Sequence, residues 1–198
     1  MYATDSCAAR LDELQYTLGE GPCFDAYRDA SAQFHPHVDS VTRTSRWPTF
    51  AGEVVQLGVH SLFAFPVPGP RGSVRPSGVL ELYRRRTGSL TDAQQVTAAA
   101  CVAAIAQRLQ SNWNAHAAHF GSSGEALDAA ATAGAAADDP AEPFTRNQVH
   151  VAAGIVAVQL DIDADEAVDR LRAHSFAAGC RLSSVAADVI AHRLTLHD

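Results

Sequence analysis

The stretch from Val149 to Leu194 constrains the fold more than any other part of this chain, because its apolar residues recur with a helical period in three consecutive short runs. Val149, Ala152, Ala153, Val156 and Leu160 fall on one stripe, as expected when a 3.6-residue period buries one face of a helix. Asp163 then stands at an N-cap position with Glu166 three residues on, a pairing that satisfies the backbone donors left open at a helix start, so a second helix begins near Ala164. Ala167, Val168 and Leu171 face inward along it, and Gly179 offers the left-handed conformation that commonly follows a helix end. Leu182, Val185, Ala186, Val189, Ile190 and Leu194 make the third stripe, which leaves Asp188, His192 and Arg193 for solvent or a partner. Three short helices with no nucleophile or metal cluster among them point to binding rather than catalysis.

Several residues within these helices resemble the ANTAR domain, the three-helix RNA-binding output module of bacterial transcription antitermination regulators. Arg146 precedes the first helix, and Ala152 and Gly154 sit in its middle. An EAxxxLR string is formed by Glu166, Ala167, Leu171 and Arg172, and an LxxVAxxVI string by Leu182, Val185, Ala186, Val189 and Ile190. Many ANTAR sequences carry a Lys just before the first-helix Gly, where this chain has Ala153, which removes one candidate phosphate contact. The resemblance implies structured hairpin RNA as the partner. The donors available to reach phosphates or loop bases are Arg146, His150, Arg170, Arg172, Arg181 and Arg193, with some of the arginines expected to pair instead with Asp163, Asp165 or Asp169.

Charge runs partly against that expectation. All 15 basic residues are arginine and the formal net charge is −7. From Glu142 to Asp198 eight acidic residues face five arginines, a balance of −3. Nucleic-acid binding usually draws on a basic footprint, since phosphate neutralisation supplies much of the affinity. An acidic module can still present one basic face, and the arginine fork suits phosphate contacts and stacking on splayed bases.

The first two thirds of the chain has a different texture. SLFAFPVP alternates Phe63, Phe65 and Val67 with Leu62, Ala64 and Pro66, and GVLELYRR alternates Val79, Glu81 and Tyr83 with Leu80 and Leu82. The turn-rich PGPRGSVRPSG between them makes a β-hairpin. Ahead of it, Ser45 caps a helix from about Arg46 to Leu57, with Pro48 in its first turn and Gly58 at its end. After it, Thr91 and Gln94 form a capping-box pattern for a helix to about Gln110, with Val96, Ala99, Ala100 and Ala103 facing inward. That helix could continue through Trp113 to about Phe120.

The strings GEGPC (Gly19 to Cys23) and RWP (Arg46 to Pro48), within a match from about Tyr2 to Leu109, resemble a GAF domain of the kind coupled to ANTAR in actinobacterial regulators. The resemblance implies a sensory, dimerising module built on an antiparallel sheet flanked by helices. It names neither a ligand nor a cofactor. YATD (Tyr2 to Asp5) resembles the end of an early strand of that domain, with the preceding helix and strand missing. Residues near a ligand would be Phe63, Phe65, Val79, Glu81 and Tyr83; the four apart from Glu81 read as core ahead of ligand cage, and alternation puts Glu81 either in a pocket or in solvent.

Other candidates are weaker. His35 and His37, and His116 and His119, lack a carboxylate or Cys nearby to complete a metal site, so surface histidines and no metal are expected. Cys7, Cys23, Cys101 and Cys180 show no CxxC pairing and read as reduced packing residues. The chain is therefore expected to be an α/β (α+β) GAF sensor domain at 1–110, a partly helical Ala/Gly-rich linker at 111–145, and an all-α ANTAR module at 146–198. The expected function is a cytoplasmic RNA-binding antitermination regulator, a homodimer tuned by an unknown small molecule, with no catalysis and no membrane span. The alternative is a dimeric ligand sensor whose ANTAR-like helices bind protein partners.

Overall fold

The computed structural model describes residues 2–41, 46–70, 73–136 and 146–196. Its elements are, in order, α1 (Ser6–Leu18), α2 (Pro22–Asp29), β1 (Gln33–His35), α3 (Val38–Val41), α4 (Pro48–Gln56), β2 (Ser61–Val67), β3 (Gly78–Arg84), α5 (Asp92–Ala117), α6 (Ser123–Ala136), α7 (Arg146–Leu160), α8 (Ala164–Ala178) and α9 (Leu182–Ile190). Two compact units divide the chain: Leu14–Ser122 is one, and Ser123–Asp198 joins Met1–Glu13 in the other. No helix among the described residues is long and apolar enough to cross a membrane.

The Leu14–Ser122 unit holds a three-stranded antiparallel sheet in the order β1, β2, β3. β2 and β3 form the hairpin that the alternation predicts, from Ser61 opposite Arg84 to Val67 opposite Gly78. Residues directly opposite one another share a face, so Phe63, Phe65, Leu80 and Leu82 line one side, while Leu62, Ala64, Val79, Glu81 and Tyr83 line the other. The phenylalanine side packs on Leu90 and on Ala98 and Val102 of α5. β1 adds Phe34 to this side, its ring edge-on to Phe63 and Phe65 at 6.2 and 5.5 Å.

Helix α5 starts on the expected capping box, with reciprocal hydrogen bonds between Thr91 and Gln94. Its inward face differs from the expectation: Val96 is 70% exposed, and Ala99, Ala100 and Ala103 are exposed too, while Ala98 is buried. Alanine stands on every side of this helix, so hydrophobic contrast is too low to select a face, and the sheet's phenylalanines make the selection. The helix ends at Ala117, past Gln110 and within the continuation through Trp113 toward Phe120 that the sequence allowed.

The GEGPC and RWP strings are parts of one knot. Helix α4 begins at Pro48 rather than Arg46, and its N-cap residue Trp47 makes no side-chain cap. The expected cap Ser45 lies outside the described residues. Glu20 of GEGPC caps the helix instead, its Oε1 accepting from Thr49 N at 3.0 Å and Phe50 N at 2.8 Å. Asp25, buried in α2, accepts from Arg46 Nε at 2.8 Å and Trp47 Nε1 at 3.0 Å, and Arg28 pairs with its other oxygen. Gly21 takes φ +133° beside Gln15, whose Oε1 would lie 2.5 Å from a Cβ at that position. Only glycine combines that dihedral with that approach.

Three further expectations are corrected. Tyr2 to Asp5 form no strand; Tyr2 is 89% exposed, and Asp5 accepts from Ala8 N where α1 begins. Cys101 and Cys180 are exposed rather than packed, and none of the four cysteines is in a disulfide. His35 is half-buried against Trp47, ring centroids 4.5 Å apart, and burial first, with Arg46 nearby, holds its pKa below the usual histidine range.

Candidate nucleic-acid interface

Helices α7, α8 and α9 pack on one another through the stripes that the sequence predicts. Val149, Ala152, Ala153 and Val156 meet Ala167, Val168 and Leu171 and, from the third helix, Leu182, Val185, Ala186 and Val189, all buried. Leu160, Ile190 and Leu194 are half-buried at the margin. Local chemistry fixes the turns. Asp163 accepts from Glu166 N at 2.8 Å and caps α8. Gly179 closes α8 with φ 61°, while the buried Ser175 hydroxyl donates to Cys180 O at 2.7 Å.

Ala153 is only 2% exposed, so the position where a Lys is common in ANTAR sequences points into the bundle here. A cation there would have to thread out along its own stem to reach solvent. Gly154 is exposed, and a Cβ at its position would meet nothing within 4 Å, so packing alone does not demand glycine.

The six expected RNA contacts have unequal fates. Arg146 opens α7, and its side chain lies outside the described residues. His150 is exposed on α7. Arg170 pairs with Glu166 at 3.3 Å and Arg172 with Asp169 at 2.9 Å, both along α8. Arg193 folds back on α9, its Nε and Nη2 reaching Asp188 Oδ1 at 2.9 and 2.7 Å. Three of these arginines thus pair with carboxylates within five residues on the chain, and the acids involved are Glu166, Asp169 and Asp188 rather than Asp163 or Asp165.

Arg181 is held differently. Its Nε lies 2.9 Å from Glu13 Oε1 and its Nη2 2.7 Å from Glu13 Oε2, a two-pronged contact spanning 168 residues of sequence. Glu13 is 1% exposed; Arg10 Nη1 donates to its Oε2 at 2.9 Å and the Ser183 hydroxyl to its Oε1 at 3.4 Å. Burial pushes this carboxyl up, yet the hydrogen bonds from Arg181 and Arg10 outweigh it and hold the pKa below the usual carboxylate range. The same contact raises the Arg181 pKa further above its ordinary value. Sequence reasoning singled out neither Glu13 nor Ser183, and no local pattern marks a partner so remote.

The five residues expected near a ligand do not converge. Phe63 and Phe65 belong to the α5 side of the sheet, and Val79, Glu81 and Tyr83 to the reverse side, because the hairpin register pairs odd positions of β2 with even positions of β3. Glu81 is tied down within the unit: Gln15 Nε2 donates to both its oxygens at 3.1 and 3.0 Å, and Gln15 Oε1 accepts from Cys23 N. An open cavity of about 270 Å³ lies on the phenylalanine side, lined by Phe34, Pro36, Phe63, Ser89, Leu90 and Gln95. Phe63 alone of the expected five reaches it.

Among curated proteins none matches the chain. The ANTAR domain family matches residues 143–190, and the described part of that match is helices α7, α8 and α9. Residues 143–190 thus carry an ANTAR domain, a known RNA-binding module of transcription antitermination.

Proposed function

We propose that this chain is a cytoplasmic RNA-binding regulator of transcription antitermination, with α7 to α9 engaging hairpin RNA and the sheet-bearing unit acting as a GAF-like sensor of a small molecule or cellular state. The observation that carries the reading is the ANTAR match over residues 143–190, coincident with three mutually buried helices, the second of them capped by Asp163. In this reading a homodimer presents two modules to paired hairpins in a nascent transcript and stabilises an antiterminator over a terminator. The sensor half rests on the GEGPC and RWP strings and on the knot they form. Its state would tune the RNA affinity, a coupling that requires two arrangements with different affinities. The proposal assigns the protein no catalytic step.

Ion pairing leaves Arg170, Arg172 and Arg193 usable. Exposed pairs contribute about 0–1 kcal/mol, and a phosphate offers the arginine fork a charge-assisted acceptor in exchange. Fluorescence anisotropy with a labelled hairpin RNA, repeated over a salt series, tests the reading. Binding should weaken linearly in log Kd against log salt, and Arg193→Ala should flatten that slope by about 1. No complex at low salt, or a salt-independent one, would overturn it.

A second reading has its own support. Residues 142–198 carry a balance of −3, and Arg170, Arg172, Arg181 and Arg193 each face a carboxylate. Here the ANTAR-like helices of a dimeric sensor bind protein partners. An elution profile unchanged by hairpin RNA, together with a captured protein partner, favours it.

A further inference from the structure

We propose that Glu13 is an internal competitor for RNA: it holds the Arg181 guanidinium shut, and the ANTAR module gains full affinity only when that contact opens. The proposal rests on the RNA-binding reading above and adds a gate to it. Both residues lie in the same compact unit, which joins Met1–Glu13 to Ser123–Asp198.

Several observations separate this ion pair from its neighbours. Arg170, Arg172 and Arg193 face carboxylates that are themselves substantially exposed and no more than five residues away, so each pair can exchange with solvent or phosphate. Glu13 sits 168 residues from Arg181, is 1% exposed and engages the guanidinium through two nitrogens. Its oxygens are further occupied by Arg10 and Ser183. Arg181 nevertheless keeps 58% of its side chain exposed, so one flank of the fork is open to an incoming anion while the other is spent on the protein's own carboxylate. A carboxylate and a phosphate take the arginine fork in the same two-pronged geometry, which makes them direct rivals. The carboxylate wins in this arrangement because losing Arg181 would leave a buried charge with only Arg10 and Ser183 to hold it, which is costly. Whatever draws the first helix off Arg181 therefore exposes a phosphate ligand, and RNA in turn favours the open form, as linkage requires.

The full chain tests this with Glu13→Gln, which keeps shape and removes charge. Hairpin RNA should bind Glu13→Gln about 5-fold or more tighter than wild type, the lower end of typical allosteric coupling. Its log Kd against log salt should steepen by about 1, reporting one added phosphate contact. Adding Arg181→Ala should abolish both gains. Wild type binding RNA with Glu13→Gln no tighter would overturn the gate and leave the RNA reading standing; if neither binds, both fall. Should Glu13→Gln lose its helical circular dichroism, wild type decides through the Arg181 side-chain Nε–Hε resonance. A shift on adding hairpin RNA supports the gate, and an unmoved resonance in an RNA-bound protein overturns it.

Discussion

Glu13 shows how one side chain can be decided by effects of opposite sign. Burial alone would raise its pKa, but the guanidinium groups of Arg181 and Arg10 prevail and the carboxyl sits below its ordinary 4.5. A carboxyl with a lower pKa folded than unfolded adds stability above the unfolded value and loses it as pH falls through the folded value. Wild type should therefore melt at a higher temperature than Glu13→Gln at neutral pH, and the gap should close as pH falls below 4.5; a gap that persists into stronger acid would count against the pairing. Gly154 offers a test of the opposite kind. With open space around it in the middle of α7, Gly154→Ala should stabilise the helix by about 0.5–1 kcal/mol, read as a higher thermal midpoint. A simultaneous loss of RNA affinity would locate close backbone approach there. What was legible at this scale was local. Asp163, Gly179 and the Thr91–Gln94 box act within a few residues of themselves, whereas nothing beside Glu13 announces Arg181.

Elements were legible in proportion to their hydrophobic contrast. The α8 and α9 stripes set apolar residues against polar or charged ones, and the buried positions follow them, whereas α7, with Val151 and Val158 exposed, was read on spacing alone. Helix α5 lacks that contrast, so its extent and cap could be read but its inward face could not. β1 spans three residues, too few for an alternation to declare itself. The hairpin was visible, yet pooling Phe63 and Phe65 with Val79, Glu81 and Tyr83 ignored that its register sends the two groups to opposite faces. Helix α4 carries a prediction of its own. Because Glu20 Oε1 serves two of its first amides, Glu20→Ala should cost about 1 kcal/mol, the usual cost of a lost cap. Hydrogen exchange should quicken at Thr49 and Phe50 before the rest of the unit; unchanged protection there would show that the cap lies elsewhere.

At the scale of the whole chain, the ANTAR assignment was within reach of the sequence because the module is one contiguous stretch of helices. The grouping of Met1–Glu13 with the ANTAR helices was not, since it depends on contacts between segments far apart in sequence rather than on any string. That grouping bears on how the protein is made. Glu13 leaves the ribosome 168 residues ahead of Arg181, an interval of roughly 8–34 s at 5–20 residues per second. For that time the newborn α1 holds its Glu13 carboxylate against Arg10 alone, so the unit that holds the ANTAR helices cannot complete itself until Arg181 has emerged.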